Sequence, residues 1–174
     1  MDLRRYRKAF NKEFKKQGLS KTTIFKSIKL FNSENLTIQN YSLKRDLFYY
    51  SKNVFVPNSN ELPSWNVEKN SIKMLYLSYL TLNNNFASSP DESFFNIEEN
   101  EVYYIHISIH QSKKINVTPI IIHYSKGRKT KLTKIIDKNQ LLNFSNGEDK
   151  CRLTFKIEGS GDFSIENIKV LKLR

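Results

Sequence analysis

A chain of 174 residues that is 39% hydrophobic and 13% aromatic holds enough apolar material for one packed domain, which excludes a wholly disordered chain. Its single cysteine, Cys151, excludes an intramolecular disulfide framework, and no apolar run reaches the ~18 residues of a membrane span. The net charge of +12 is concentrated at one end, where residues 1–30 carry ten Lys or Arg against Asp2 and Glu13, or +8.

The basic first stretch, residues 2–17, has helical spacing. Leu3, Tyr6, Phe10 and Phe14 fall three, four and four apart and share one face, while Arg4, Arg5, Arg7 and Lys8 lie on the remainder. Gly18 is a stop, and Ser20 a cap for a second helix over 21–31 with Ile24, Phe25, Ile28 and Phe31 on its apolar face. No apolar stretch follows the basic start, so no signal peptide is expected. The expected location is the cytoplasm, or a membrane reached only through a larger parent protein.

From Asn32 onward helical spacing gives way to short alternating pieces. Leu36–Ile38, Leu47–Tyr50 and Val54–Val56 read as strands, and Pro57, the polar run 58–60 and Pro63 predict a loop over 57–66 that contains Trp65. Ile72–Leu82 is a nearly continuous apolar run, expected to be one strong strand with Leu75, Leu77 and Tyr79 on one side. A polar loop over 83–93 and the acidic turn 98–101 lead to the clearest alternation in the chain. There Tyr103, Ile105, Ile107 and Ile109 share one face, and Tyr104, His106, Ser108 and His110 the other.

A further strand runs from Asn116 to Ser125, with Ile120, Ile122 and Tyr124 on one side and Ile121 and His123 on the other. Pro119 marks its first part as an edge or a bulge. After the turn 125–127, the basic segment Arg128–Lys134 is expected to form a hairpin arm with Leu132 and Ile135 pointing inward. Asn146-Gly147 is a turn signal, and Leu153, Phe155 and Ile157 alternate up to Gly159-Ser160-Gly161, which is expected to join two strands as a closing hairpin. The expected fold is mainly β, with seven to nine strands in an antiparallel jelly-roll-like β-sandwich over 34–174 and a basic helical arm of two short helices over 1–33.

The second half, FFNIEENEVYYIHISI followed by TPIIIHYSKG and CRLTFKIEGSGDFSIENIKVLKL, resembles the jelly-roll carbohydrate-binding modules attached to bacterial glycoside hydrolases and glycosyltransferases. The resemblance covers roughly residues 94–173 and rests on Tyr103 or Tyr104, Gly159, Gly161, Ile165 and Ile168. It implies a non-catalytic module of a bacterial cell-surface glycan system. The lone Trp65 and the arm lie outside it.

Sugar binding needs an aromatic platform and planar hydrogen-bonding groups. Trp65, Tyr104 and Tyr124 are the candidate platform, with His106, Gln111 and Asn116 beside it; core or sheet packing is the competing role for each ring. His106 and His110, four residues apart on one strand, are too far apart to share a metal easily, and no metal or cofactor is expected. No nucleophile elbow, zinc-binding HExxH or phosphate loop occurs, so an accessory module is expected, not an enzyme. Two other readings stand beside a glycan- or protein-binding module. One is a polyanion- or nucleic-acid-binding protein using Arg4, Arg5, Arg7 and Lys8 together with Lys126, Arg128 and Lys129. The other is a structural assembly protein. Cys151, next to an alternating strand, is expected to pack rather than react.

Overall fold

The structure, a computed structural model, describes residues 37–51, 54–58, 63–68, 74–98, 101–136 and 138–173. The expected helical arm, with Arg4, Arg5, Arg7 and Lys8, lies outside the described residues. Among them, no helix is long and apolar enough to cross a membrane.

Eleven strands are present among the described residues: β1 Thr37–Asn40, β2 Phe48–Tyr49, β3 Phe55–Pro57, β4 Ser64–Val67, β5 Leu75–Tyr79, β6 Val102–Gln111, β7 Ile115–Ser125, β8 Arg128–Lys134, β9 Asn139–Asn143, β10 Lys150–Gly159 and β11 Gly161–Leu173. They form two sheets. One has the order β3-β4-β11-β6-β9, with β1 also paired to β11; the other has the order β2-β5-β10-β7-β8. Every pairing is antiparallel. The fold is mainly β and sandwich-like, with one core shared by residues of both sheets.

Period-2 alternation produces this core. Tyr103, Ile105 and Ile107 of β6, with Ile165, Ile168 and Val170 of β11, meet Leu75 and Leu77 of β5 and Leu153, Phe155 and Ile157 of β10. In β11 the register with β6 shifts between Ile165 and Asn167. This bulge keeps both Ile165 and Ile168 inward although they are three residues apart.

Connections between strands mostly cross from sheet to sheet. Only β3 to β4 and β7 to β8 join strands of the same sheet. The Gly159-Ser160-Gly161 turn therefore does not close a hairpin, as alternation on both sides of it led us to expect. β10 lies in one sheet and β11 in the other, and the turn carries the chain across the core. Gly159 has φ +90°, and a Cβ there would run into the carbonyl oxygen of Lys114; a Cβ on Gly161 would strike Ser112 Oγ. The glycines are needed because the crossing passes tightly against the 112–114 turn.

Other expectations are corrected too. Residues 57–66 are not one loop, since β4 begins within them: Ser64 and Trp65 pair with Ser164 and Phe163 of β11. Pro57 ends β3 and Pro63 immediately precedes β4, positions at strand ends that proline tolerates. Among the described residues of the run Ile72–Leu82 the strand spans Leu75–Tyr79; it ends there because Leu80 turns to φ +52°, and Leu82 is exposed. Leu132 is exposed while Ile135 is buried. Leu132 lies on β8, whereas Ile135 lies just past its end, where its amide donates to the Pro119 carbonyl.

Candidate interaction site

The ring residues expected to form a sugar platform are inside the protein. Trp65 is 0% exposed and stacks on Phe163 at 5.3 Å, with Phe48 and Tyr50 edge-on at 5.3 and 5.7 Å. Its Nε1 has no hydrogen-bond partner among the described residues. Tyr104 is buried on the outer face of its sheet, opposite Leu171 of β11 and Leu141 of β9, which are also buried. Tyr124 lies on the outer face of the other sheet with Ile120 and Ile122, under Phe86, and its hydroxyl donates to the Phe86 carbonyl at 3.3 Å. No two of these rings make one surface. His106 is half-buried on the outer face of β6, paired with Lys169.

His123 stands apart from His106 and His110. It points into the core from the opposite sheet, and no cluster of three metal-ligating side chains exists among the described residues. Its role is visible in its partners. Nδ1 lies 3.2 Å from Glu148 Oε2 and Nε2 lies 3.0 Å from Thr133 Oγ1. A carboxylate only accepts, so Nδ1 carries the proton and Nε2 accepts from Thr133. Burial lowers the His123 pKa to about 4, against the attraction of Glu148. The imidazole is therefore neutral at pH 7. Glu148 accepts from Thr130 Oγ1 at 2.6 Å and from the Ser145 amide at 2.7 Å, with Lys131 Nζ at 3.4 Å. Burial pushes its carboxyl up, but these bonds and the cation outweigh it and hold it below its ordinary value. The network ties β7, β8 and the turn at 145–148 together. Cys151 is likewise a packing residue, its thiol pushed up to about 12 by burial.

A concavity lies where both sheets are incomplete. β9 pairs with β6 only over Val102–His106, leaving Ile107–Gln111 without a strand on that side. β8 pairs with β7 only from Ile120 onward, leaving Ile115–Thr118 bare on the corresponding side. Pro119 sits at this boundary, and its carbonyl accepts from the Ile135 amide at 2.9 Å. The edge expected from Pro119 is there. Between the two bare edges runs a cleft of about 530 Å³. Ile107, Ile109, Val117, Pro119 and Ile135 form its apolar wall. Gln111, Asn116, Lys134, Lys138 and the Lys156–Glu158 ion pair (3.0 Å) stand at the rim.

The direction of the backbone groups follows from the bonds already made. Ser112 donates to Asp162 of β11, so even-numbered residues of β6 face β11; Ile107 donates to the Lys138 carbonyl at 2.8 Å, so odd-numbered ones face the cleft. The peptide groups of Ile109 and Gln111 therefore point into it. Across the gap the Val117 amide also points inward, and Gln111 Oε1 takes its hydrogen at 2.9 Å. A side-chain amide stands where the carbonyl of a further strand would stand. Gln111 and Asn116 were legible as polar candidates; Ile109, Lys134 and Lys138 were missed, because only the unequal lengths of β6 and β9 expose them.

Lys126, Arg128 and Lys129 cluster at the exposed tip of the β7–β8 hairpin, where Lys126 and Gly127 both have positive φ. This is a separate surface from the cleft. Its alternative partners would be anions.

No protein-family model matches the sequence, and no curated protein matches it. Solved structures do share the fold. One is the complex of accessory secretory proteins 1, 2 and 3 of Streptococcus pneumoniae, where a chain matches with a TM-score of 0.51 at 9% identity, over 74% of this chain and 98% of that one. Another is the glycosylation-associated Gap123 complex of Streptococcus agalactiae, with a TM-score of 0.50 at 11% identity over 84% of this chain; the match spans only 28% of that chain. The described structure is thus similar in fold to chains of accessory secretory and glycosylation-associated proteins.

Proposed function

We propose that this chain is a non-catalytic jelly-roll subunit of a bacterial glycan-associated accessory assembly, working in the cytoplasm by holding a partner protein. The observation that carries this reading is the cleft between two strand edges, an apolar wall beside stretches of β6 and β7 that lack a neighbouring strand. Such an edge binds polypeptide through main-chain hydrogen bonds. The fold shared with components of two accessory complexes supports the same reading, and the repeated crossing between sheets supports the jelly-roll. Carbohydrate binding is less favoured, because Trp65, Tyr104 and Tyr124 do not offer a stacking face to solvent.

The test is co-expression with the products of the genes beside its own, followed by size-exclusion chromatography with light scattering. A complex of fixed stoichiometry that persists in high salt is expected. Elution of the chain alone in every combination, together with binding of neutral sugars on a glycan array, would overturn the reading. Binding only of heparin or nucleic acid, lost as salt rises, would move the function to the Lys126–Lys129 tip.

A further inference from the structure

We infer that an extended, acidic segment of the partner completes the sheet at β6, lying antiparallel to it in line with β9 and bonding to the peptide groups of Ile109 and Gln111. This deepens the protein-holding reading and rests on it. Three observations meet at this place. The odd-numbered peptide groups of β6 are used by Lys138 up to Ile107 and then face the open cleft, so a donor and an acceptor are already oriented at Ile109. Side chains of an added strand alternate, so every second one would enter the wall formed by Ile109, Val117 and Ile135.

The third observation is charge. Lys156 is paired with Glu158, which leaves Lys134 and Lys138 as the rim cations. Both sit at the end of the cleft where the chain crosses from β8 to β9, so an acidic residue at that end of the incoming segment is matched. Asp137, between them in sequence, lies outside the described residues. Ile136, 81% exposed beside these lysines, provides apolar cover at the same end. The bare stretch of β6 is short, with only Ile109 and Gln111 presenting backbone toward the cleft. Recognition therefore combines a few main-chain bonds with one or two buried side chains and the cationic rim.

The probe is a synthetic capped peptide of alternating Glu and Val, titrated into isotopically labelled protein and followed by nuclear magnetic resonance. Expected are shifts centred on Ile109, Gln111 and Lys138, with slowed amide exchange at Ile109 and Gln111. N-methylation of alternate peptide bonds, which removes main-chain donors while keeping the side chains, weakens binding about tenfold. The Lys134→Glu/Lys138→Glu double variant, both sites exposed, weakens it as well, and a Lys/Val peptide does not bind. Three results would overturn the inference: equal affinity for the N-methylated peptide, shifts confined to the Lys126–Lys129 tip, or no binding of the Glu/Val peptide. If co-elution with a partner persists in the double-lysine variant while the peptide fails, the assembly reading stands and only the edge assignment falls.

Discussion

At the scale of single residues, His123 gives the protein a defined response to acid. Folding holds its imidazole neutral down to about pH 4, whereas the unfolded chain protonates it below about 6.5. The unfolded state therefore binds more protons in that window, and stability falls as pH drops from about 6.5 to about 4. The loss from His123 is about 2–3 kcal/mol. Glu148, held below its ordinary value, contributes stability that is present above that value and is lost as pH falls through its folded one. Urea melts at several pH values should show the slope, and His123→Gln should flatten it between pH 6.5 and 4. Trp65 makes a second prediction. Trp65→Ala empties a site enclosed by Phe48, Tyr50 and Phe163 and lowers stability by about 3–5 kcal/mol. Trp65→Phe costs much less, because the indole N–H it removes has no partner among the described residues. Thermal melts of the two variants separate a packing role from a binding one. At the crossing turn, Gly159→Ala imposes a positive φ on a β-carbon and drives it into the Lys114 carbonyl, costing at least about 1–3 kcal/mol by the denaturation midpoint.

Among the elements, what the sequence made readable was the part written in alternation. The faces of β6 and β7 follow directly from Tyr103 to His110 and Ile120 to Tyr124, since half-buried strands repeat every two residues. β4 is not legible because four residues directly after Pro63 are too few to establish a period, so Trp65 reads as part of a loop. Whether Gly159-Ser160-Gly161 folds β11 back beside β10 or sends it to the other sheet depends on what packs behind the turn, and no local signal contains that. The candidate site is legible in the sequence through Pro119, Gln111 and Asn116 alone. A cleft made by two neighbours ending early belongs to the pairing of distant segments, so Lys134 and Lys138 look like any solvated lysines until β8 and β9 are placed. The exposed Leu132 on β8 illustrates how such an edge is managed: its neighbours Lys129, Lys131 and Lys134 place charge along the strand. Leu132→Lys should leave the melting temperature nearly unchanged and reduce turbidity on heating.

For the molecule as a whole, the two surfaces predict different salt behaviour. Partner holding at the cleft combines main-chain bonds and apolar burial with two rim lysines, so its affinity should fall only modestly with ionic strength, whereas any anion captured at the hairpin tip should be lost steeply. Surface plasmon resonance at rising salt distinguishes them. The position of β11 has a wider consequence for how the chain reaches its fold. It is the strand against which β1, β4 and β6 are all assembled, yet it is made after them. Until residues 161–173 have left the ribosome that sheet has no middle, and the β3–β4 and β6–β9 pairs cannot be joined. The other sheet contains only earlier strands, so this one is completed last, through contacts of long sequence separation. Slow folding follows, with a premature stop before Gly161 yielding an aggregate that chaperones have to clear.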